Sequence, residues 1–454
     1  MKIQQVPTRR DFFSIAGRAL TSAGAAAMLH QAGMMNALAQ NSSQYQALVC
    51  IFLFGGNDAN NLLIPNDAAG YANYAKIRQN LAIPQASLVS ITDSISKASF
   101  GLHPSFAPIA PLFTTSKRLA LVANVGTLVK FVPHNSTSGL PELSAVPLPL
   151  NLYSHSDQQI AWQTAIPLGS ATSGWSGRAA DRAAATGGGQ LPPLLTLAGN
   201  TIQLVGETAQ QTAVSTSNFS LSAPSTDPGS TALQQILSLP SGVTLVQQAQ
   251  SSLKNATSMA QAVNAALTGA SSLGVTFPNT DIGTQLGQVA KLIQVRQSLG
   301  ATRQIFFCSQ GGYDTHSNQL AQQVTLYSNL ANALSLFDQA MATLNTQNNV
   351  TTFTESDFGR TFQPNGNAGT DHGWGNHALV MGGAVNGGAI YGTYPTLALT
   401  GPDDSTGRGT WVPSTSLEQY VGALAKWFGV TAQADLDYTF PNLNSFSYQT
   451  IGVI

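Results

Sequence analysis

Charge is what this sequence has least of. Its 454 residues include 19 basic and 20 acidic side chains, 9% of the chain, against about a quarter in an average soluble domain. The net charge is −1 and Lys and Arg form no runs. That excludes a nucleic-acid protein, which needs clustered cations to displace phosphate counterions. Hydrophobic residues reach 43%, so the chain also lacks the low hydropathy and high net charge of a disordered one. Cysteine is scarcer still. Cys50 and Cys308 each sit in a short apolar run and read as two inert buried thiols, with a disulfide as the alternative. Beyond residue 39 there is no apolar run of the about 20 residues that a bilayer span requires. The length allows one large domain with insertions, or two domains, and a sizeable core either way.

Residues 1–39 read as an export signal. Thr8-Arg9-Arg10-Asp11-Phe12-Phe13 opens it, a weakly apolar stretch from Ile15 to Leu38 follows, and Ala37-Leu38-Ala39 is a small-x-small cleavage site. The paired arginines before Phe resemble a twin-arginine signal, read by the translocon that exports folded proteins. The alternative is a plain amphipathic N-terminal helix. Export implies a periplasmic or secreted protein whose transient partner is that translocon. Cleavage would leave 15 basic and 19 acidic residues. Export in the folded state also suits a protein loaded with a metal beforehand.

From residue 40 on, short apolar runs alternate with helical patterns. Strands are expected at Ala47–Phe54, Leu119–Val125, Pro193–Leu197, Ile305–Cys308, Thr351–Thr354 and Ala378–Met381. Leu320, Val324, Tyr327, Leu330, Leu334, Phe337, Met341 and Leu344 recur at three- and four-residue steps and predict an amphipathic helix. Ile282–Leu299 predicts a second, capped by Thr280. Ser416–Phe428 predicts a third, with Thr415 and Glu418 at capping-box spacing. The alternation predicts an α/β fold with a mostly parallel sheet sandwiched by helices, a single domain over residues 40–454. Residues 201–278, rich in Ser, Thr, Gln and Ala, read as an insertion, either a cap or a surface excursion, with one long helical pattern from Val243 to Leu267.

The chemistry-bearing side chains cluster next to the expected strand ends. Tyr313-Asp314-Thr315-His316 follows the strand ending at Cys308, and Asp314 and His316, two apart in an extended segment, point the same way and can share one metal ion. Thr370-Asp371-His372-Gly373 and His377 precede the strand at Ala378. Gly55-Gly56-Asn57-Asp58 closes the first strand. Asp and His are ligands for zinc, manganese or iron, and open α/β sheets place sites at the carboxyl ends of their strands. Each cluster taken singly also makes an ordinary turn or helix cap. Glu355-Ser356-Asp357-Phe358-Gly359-Arg360 adds Asp357 as a possible ligand and Arg360 as a planar fork for an anion. Arg178 is a weaker anion candidate, set against a surface pair with Asp181. Tyr153-Ser154-His155-Ser156-Asp157 looks like a turn entering a helix, where the free N–H groups would stabilise an anion or a deprotonated Ser154 or Ser156. A plain Ser N-cap is the alternative.

Taken together with Gly101-Leu102-His103-Pro104 and Gly174-Trp175, these motifs resemble a large bacterial family of exported proteins, the domain of unknown function 1501 family. That family is similar to the alkaline phosphatase and sulfatase superfamily, and the match spans almost the whole exported chain. The resemblance implies two metal ions at the carboxyl edge of a parallel sheet, with a nucleophile between them. It implies that Asp58 is the first-strand ligand and that Asp314 and His316 belong to the second site. The later ligands have two registers: Asp371 and His372 with His377 last, or Asp357 with Phe358 replacing a histidine and His372 last. Neither Cys50 nor Cys308 lies in a Cys-x-Pro-x-Arg setting, so sulfatase-type modified-cysteine chemistry is not expected, and Ser154 is the nucleophile implied.

Two expectations follow. One is an exported hydrolase of a phosphate or sulfate ester, using one or two divalent ions, zinc or manganese, with Ser154 and Arg360 as catalytic groups. The other is an envelope binding or structural protein that keeps the fold without the chemistry. The shortage of cations points in either case to a small anionic partner rather than a polyanion.

Overall fold

Gln46–Leu53 and Leu119–Gly126 are apolar at both odd and even positions, and a strand with no polar face belongs inside a sheet covered on both sides. The computed structural model describes residues 45–454 apart from 184–188, 190, 217–231, 233–234, 240–242 and 448, and the expected export signal lies outside the described residues. Its strands are β1 (Gln46–Leu53), β2 (Leu63–Pro65), β3 (Val89–Thr92), β4 (Ser99–Leu102), β5 (Leu119–Gly126), β6 (Leu194–Thr196), β7 (Gln211–Ala213), β8 (Arg303–Gln310), β9 (Val350–Ser356), β10 (Asn376–Gly382), β11 (Ile390–Tyr391) and β12 (Thr415–Ser416). Its helices are α1 (Ala68–Arg78), α2 (Ala110–Thr114), α3 (His155–Thr164), α4 (Trp175–Arg182), α5 (Thr244–Thr268), α6 (Asp281–Gln294), α7 (Gln319–Thr343), α8 (Leu417–Phe428) and α9 (Gln433–Thr439).

The main sheet runs β11-β5-β10-β9-β1-β8-β6-β7, with β12 also beside β5. β9, β1, β8, β6 and β7 are parallel, and β10 is antiparallel to both β9 and β5. β2, β4 and β3 form a small antiparallel sheet of their own. The protein is thus mixed α/β, with a large, mostly parallel sheet flanked by helices. Period-two alternation divides the core. Val49, Ile51 and Leu53 of β1 pack with α6 and α7 on one side, and Leu48, Cys50 and Phe52 with α4 and α8 on the other. Each fully buried side chain of this size contributes about 1.5–3 kcal/mol.

The same alternation settles the cysteines. Cys308 lies opposite Ile51, not Cys50, so the two thiols belong to opposite faces of the sheet and both are free. Burial pushes both well up, and Glu355 beside Cys50 adds to it there.

Three expectations shift in detail. On α8 the capping box is Ser416 with Gln419, one residue later than Thr415 and Glu418: the Ser416 side chain accepts from the Gln419 amide, and the Gln419 side chain accepts from the Ser416 amide. On α7 the buried face holds Tyr327, Leu330, Leu334, Phe337 and Met341 as expected, but its first two turns bury Gln319 and Gln323 while Val324 is exposed. The 201–278 stretch begins by supplying β7 to the main sheet, and Ala260 and Val263 of α5 reach the core. No helix among the described residues is long and apolar enough to cross a membrane.

Candidate metal centre

β9, β1 and β8 are adjacent and parallel, so the loops that follow them emerge on one edge of the sheet. Those loops carry Asp357 with Arg360, Asp58, and Asp314 with His316. β10 runs the other way, so the loop entering it, with Asp371 and His372, reaches the same edge. An antiparallel bridge between Arg360 and His372 ties the two later loops together. Gly55 lets the β1 loop come close: at φ +115°, a Cβ on it would stand 2.4 Å from the Asp314 amide nitrogen. His155, first residue of α3, arrives from outside the sheet.

The carboxylate of Asp314 is the meeting point. Its Oδ1 lies 3.0 Å from His316 Nε2, 3.5 Å from His372 Nε2 and 3.6 Å from His155 Nε2, and it accepts a 2.9 Å hydrogen bond from Arg360 Nη1. Ligand atoms of His155, Asp314 and His372 all fall within 4.8 Å of one another. His316 Nε2 is 3.0 Å from His372 Nε2.

Each of the three imidazoles is anchored at its other nitrogen. His155 Nδ1 is 2.6 Å from Asp357 Oδ2, His316 Nδ1 is 3.3 Å from Asp371 Oδ1, and His372 Nδ1 is 2.7 Å from the Tyr153 carbonyl. A carbonyl oxygen only accepts, so His372 Nδ1 carries a proton, and the Asp357 carboxylate assigns one to His155 Nδ1 in the same way. Held this way, the three rings turn their Nε2 atoms toward one carboxylate oxygen. His155 Nε2 is buried and has no hydrogen-bond partner. His155, Asp314 and His372 thus offer nitrogen and oxygen atoms of the kind that ligate a cation. The outer anchors are those that orient histidines at metal sites.

Electrostatics favour the same state. Burial raises Asp314, but the Arg360 hydrogen bond and charge, with His316 and His155, outweigh it and hold the carboxyl below its usual range. Burial lowers His372, with the charge of Arg360 adding to it, and this outweighs the opposing hydrogen bond to the Tyr153 carbonyl. Asp371 is likewise held low: burial raises it, and Arg408, 2.6 Å away, with Asn365 and His316, overcomes that. Phe358 walls the group, its ring centroid 4.8 Å from His155 and 4.7 Å from His372.

The structure does not bring every expected residue here. Asp58 is buried and ion-paired with Arg78 at 2.6 Å, where it also accepts from Gln319 and Asn60. His377 is buried beside Tyr394, its Nδ1 accepting from the Asn124 amide, and burial drives it down to about 4. Asp357 touches the group only through His155. It has no exposed side-chain surface and also accepts from the Gly55 amide and Gln159. Arg360 is equally buried, its guanidinium spent on Thr370, Gly55 and Asp314, so it fixes Asp314 rather than projecting toward solvent. Ser154 caps α3 and donates to Asp157 Oδ2 at 2.6 Å, with Ser156 Oγ 3.1 Å away. Arg178, buried on the carbonyls of Ser173, Thr164 and Thr439, leaves Asp181 to the Glu207–Ala209 loop.

Sequence reasoning missed His155 as a member of the group and Arg78 as the partner of Asp58. His155 carries a signal, an imidazole at a helix start in a chain with 7 histidines, but Ser154 drew the reading. Arg78 has none, because nothing local to α1 marks it.

The fold and the group so defined are those of an α/β protein with a histidine-rich polar centre at the carboxyl edge of its sheet. The chain belongs to the family described as protein of unknown function, DUF1501, whose profile matches residues 45–406. No curated protein matches it. Among solved structures it is similar at 10% identity to two of the protein titled Ps i-CgsB, one in complex with k-i-k-neocarrahexaose, with TM-scores of 0.33 and 0.31. Each covers 90% of this chain and 77% of that one, a likeness too low to carry a conclusion.

Proposed function

We propose that this protein is an exported, metal-dependent hydrolase of a phosphate or sulfate ester, related in arrangement to the alkaline phosphatases, acting in the periplasm or outside the cell. The observation that carries the reading is the convergence of His155, His316 and His372 Nε2 on Asp314 Oδ1, each ring anchored through Nδ1. Of these, His155, Asp314 and His372, whose ligand atoms lie within 4.8 Å of one another, would hold a divalent ion, zinc or manganese, with His316 beside them. When bound, the ion supplies Lewis-acid polarisation of an ester oxygen.

The side chains around it have separable tasks. Arg360 holds Asp314 in place and keeps it ionised. Asp357, Asp371 and the Tyr153 carbonyl fix the ring orientations. Ser154 is the candidate nucleophile: it stands at the N-terminus of α3, where unpaired N–H groups favour an anion, and its hydroxyl donates to Asp157. Hydrogen bonds from Ser154 and Asn151 hold that carboxyl low, which makes Asp157 a weak proton acceptor. One observation favours the second reading, a non-catalytic binding or structural protein of the envelope: Arg360 is spent inside the protein and offers no fork to an anion.

The deciding experiment is metal analysis of the purified exported protein, with assays on aryl phosphate and aryl sulfate esters. The hydrolase reading expects bound metal and turnover that Asp314→Ala removes. Turnover unaffected by that change would take the activity away from this centre, and a protein inert to both ester classes points to the second reading.

A further inference from the structure

We infer that the centre takes one ion, not two, and that arginine charge stands where a second ion would need its ligands. The inference rests on the metal-dependent reading above and concerns how many ions these residues accept and of which kind.

A second ion would require carboxylates beyond Asp314, and of the neighbouring ones Asp58 is filled while Asp357 and Asp371 each already hold three partners. A carboxylate accepts about four hydrogen bonds, two at each oxygen. Asp58 Oδ1 takes the Asn60 amide at 3.2 Å and Asn60 Nδ2 at 2.8 Å, and its Oδ2 takes Arg78 at 2.6 Å and Gln319 at 2.5 Å. No lone pair is left to ligate. Asp357 takes the Gly55 amide on Oδ1 and both His155 and Gln159 on Oδ2, with no exposed side-chain surface. Asp371 takes Arg408 on one oxygen and His316 with Asn365 on the other.

Charge points the same way. Arg78 and Arg360 are both fully buried, and each neutralises a carboxylate, Asp58 and Asp314 respectively. Neither can swing out. Arg78 is also tied to Asn61 and to the Phe362 carbonyl, and Arg360 to Gly55 and Thr370. Gln319 locks the two halves together, donating to Asp58 while its Oε1 accepts from Thr370 Oγ1, which in turn receives Arg360 Nε. A second divalent ion beside these guanidinium groups would meet like charge in a setting that water screens poorly. The Asp314 side, by contrast, keeps the orphaned His155 Nε2, which no hydrogen bond occupies. A set in which imidazoles outnumber carboxylates, His155 and His372 with Asp314, suits zinc over manganese, which prefers carboxylate, carbonyl and water.

The test is stoichiometry. The purified, untagged exported protein is stripped with a chelator, incubated with excess zinc or manganese, desalted, and its metal measured by elemental mass spectrometry. Asp314→Asn and His372→Gln, both at partly exposed side chains, are carried alongside, with thermal melts to confirm folding. The expected result is one equivalent of zinc, manganese retained at least tenfold less, and loss of the zinc in both variants. Two equivalents in the wild-type protein would overturn the single-ion inference and leave the hydrolase reading standing. No retained metal would overturn both. One equivalent that survives both substitutions would place the ion elsewhere and overturn the assignment, and manganese retained in preference to zinc would overturn the choice of ion.

Discussion

Asp58 and Asp314 follow neighbouring strands of one sheet, yet they have opposite surroundings. Asp58 has no exposed side-chain surface and faces Arg78, Gln319 and Asn60, all hydrogen-bond donors. Asp314 keeps 47% of its side chain exposed and faces three imidazole nitrogens, of which His372 Nε2 is a lone pair by its tautomer. The first carboxylate is saturated and structural. The second is held by one arginine and left open on the side where the histidines gather. The difference teaches that an aspartate at a strand end gets its role from what the neighbouring chain turns toward it, donors or lone pairs.

The comparison can be broken most directly at its open half. Asp314→Ala should abolish ion retention and bring ester hydrolysis down to background, measured by metal content and aryl ester turnover. Retention of both would remove the distinction drawn between the two aspartates. At the closed half, Arg78→Met leaves Asp58 charged, buried and unpaired, and should cost about 3–5 kcal/mol of stability in urea unfolding, as removing one partner of a buried pair does. A loss under about 1 kcal/mol, typical of an exposed pair, would show that the Asp58 site is wetter than its burial implies. Asp357→Asn removes the anchor of His155 without touching the centre itself. It should weaken ion affinity about 10–100-fold, the usual cost of losing such an outer partner, and unchanged affinity in a competition titration would exclude His155 from the ligand set.

A further effect is expected on acid stability. Burial brings His377 and His103 each to about 4 in the folded protein, against about 6.5 in an unfolded chain. Between those values the unfolded state binds more protons, so stability falls as pH drops from about 6.5 to 4 and is level above that window. His377→Gln should reduce the slope and leave the His103 share. Equal slopes in variant and wild type, from melts at stepped pH, would show that His377 is protonated in the fold.

Much of the fold was legible in advance because apolar alternation is local. All six expected strands appear, with ends shifted by a residue or two, and α6 is capped by Thr280 as expected but ends at Gln294 rather than Leu299. The failures are informative. The stripe on α7 reads as apolar through Leu320 and Val324, but the helix turns Gln319 and Gln323 inward because Asp58 and its neighbours need donors there. A hydrophobic pattern that breaks beside a site marks a polar network, and that break was not read. Among the site residues, Asp314, His316 and His372 were legible from their loops. His155 and the saturation of Asp58 were not, because both depend on residues far away in the chain.

By itself the sequence determined the layers of this protein, through strands apolar on both faces and helices with a buried stripe, and the loops in which its few Asp and His residues cluster. It also determined the scarcity of charge, which makes each buried ion pair conspicuous. Only the tertiary structure decided which carboxylate is open. Hydrogen-bond donors are short-ranged and come from distant segments: Arg78 and Gln319 close Asp58, while Asp357, Asp371 and the Tyr153 carbonyl aim three imidazoles at Asp314. Spacing along a chain records neither who fills a lone pair nor which way a ring is turned.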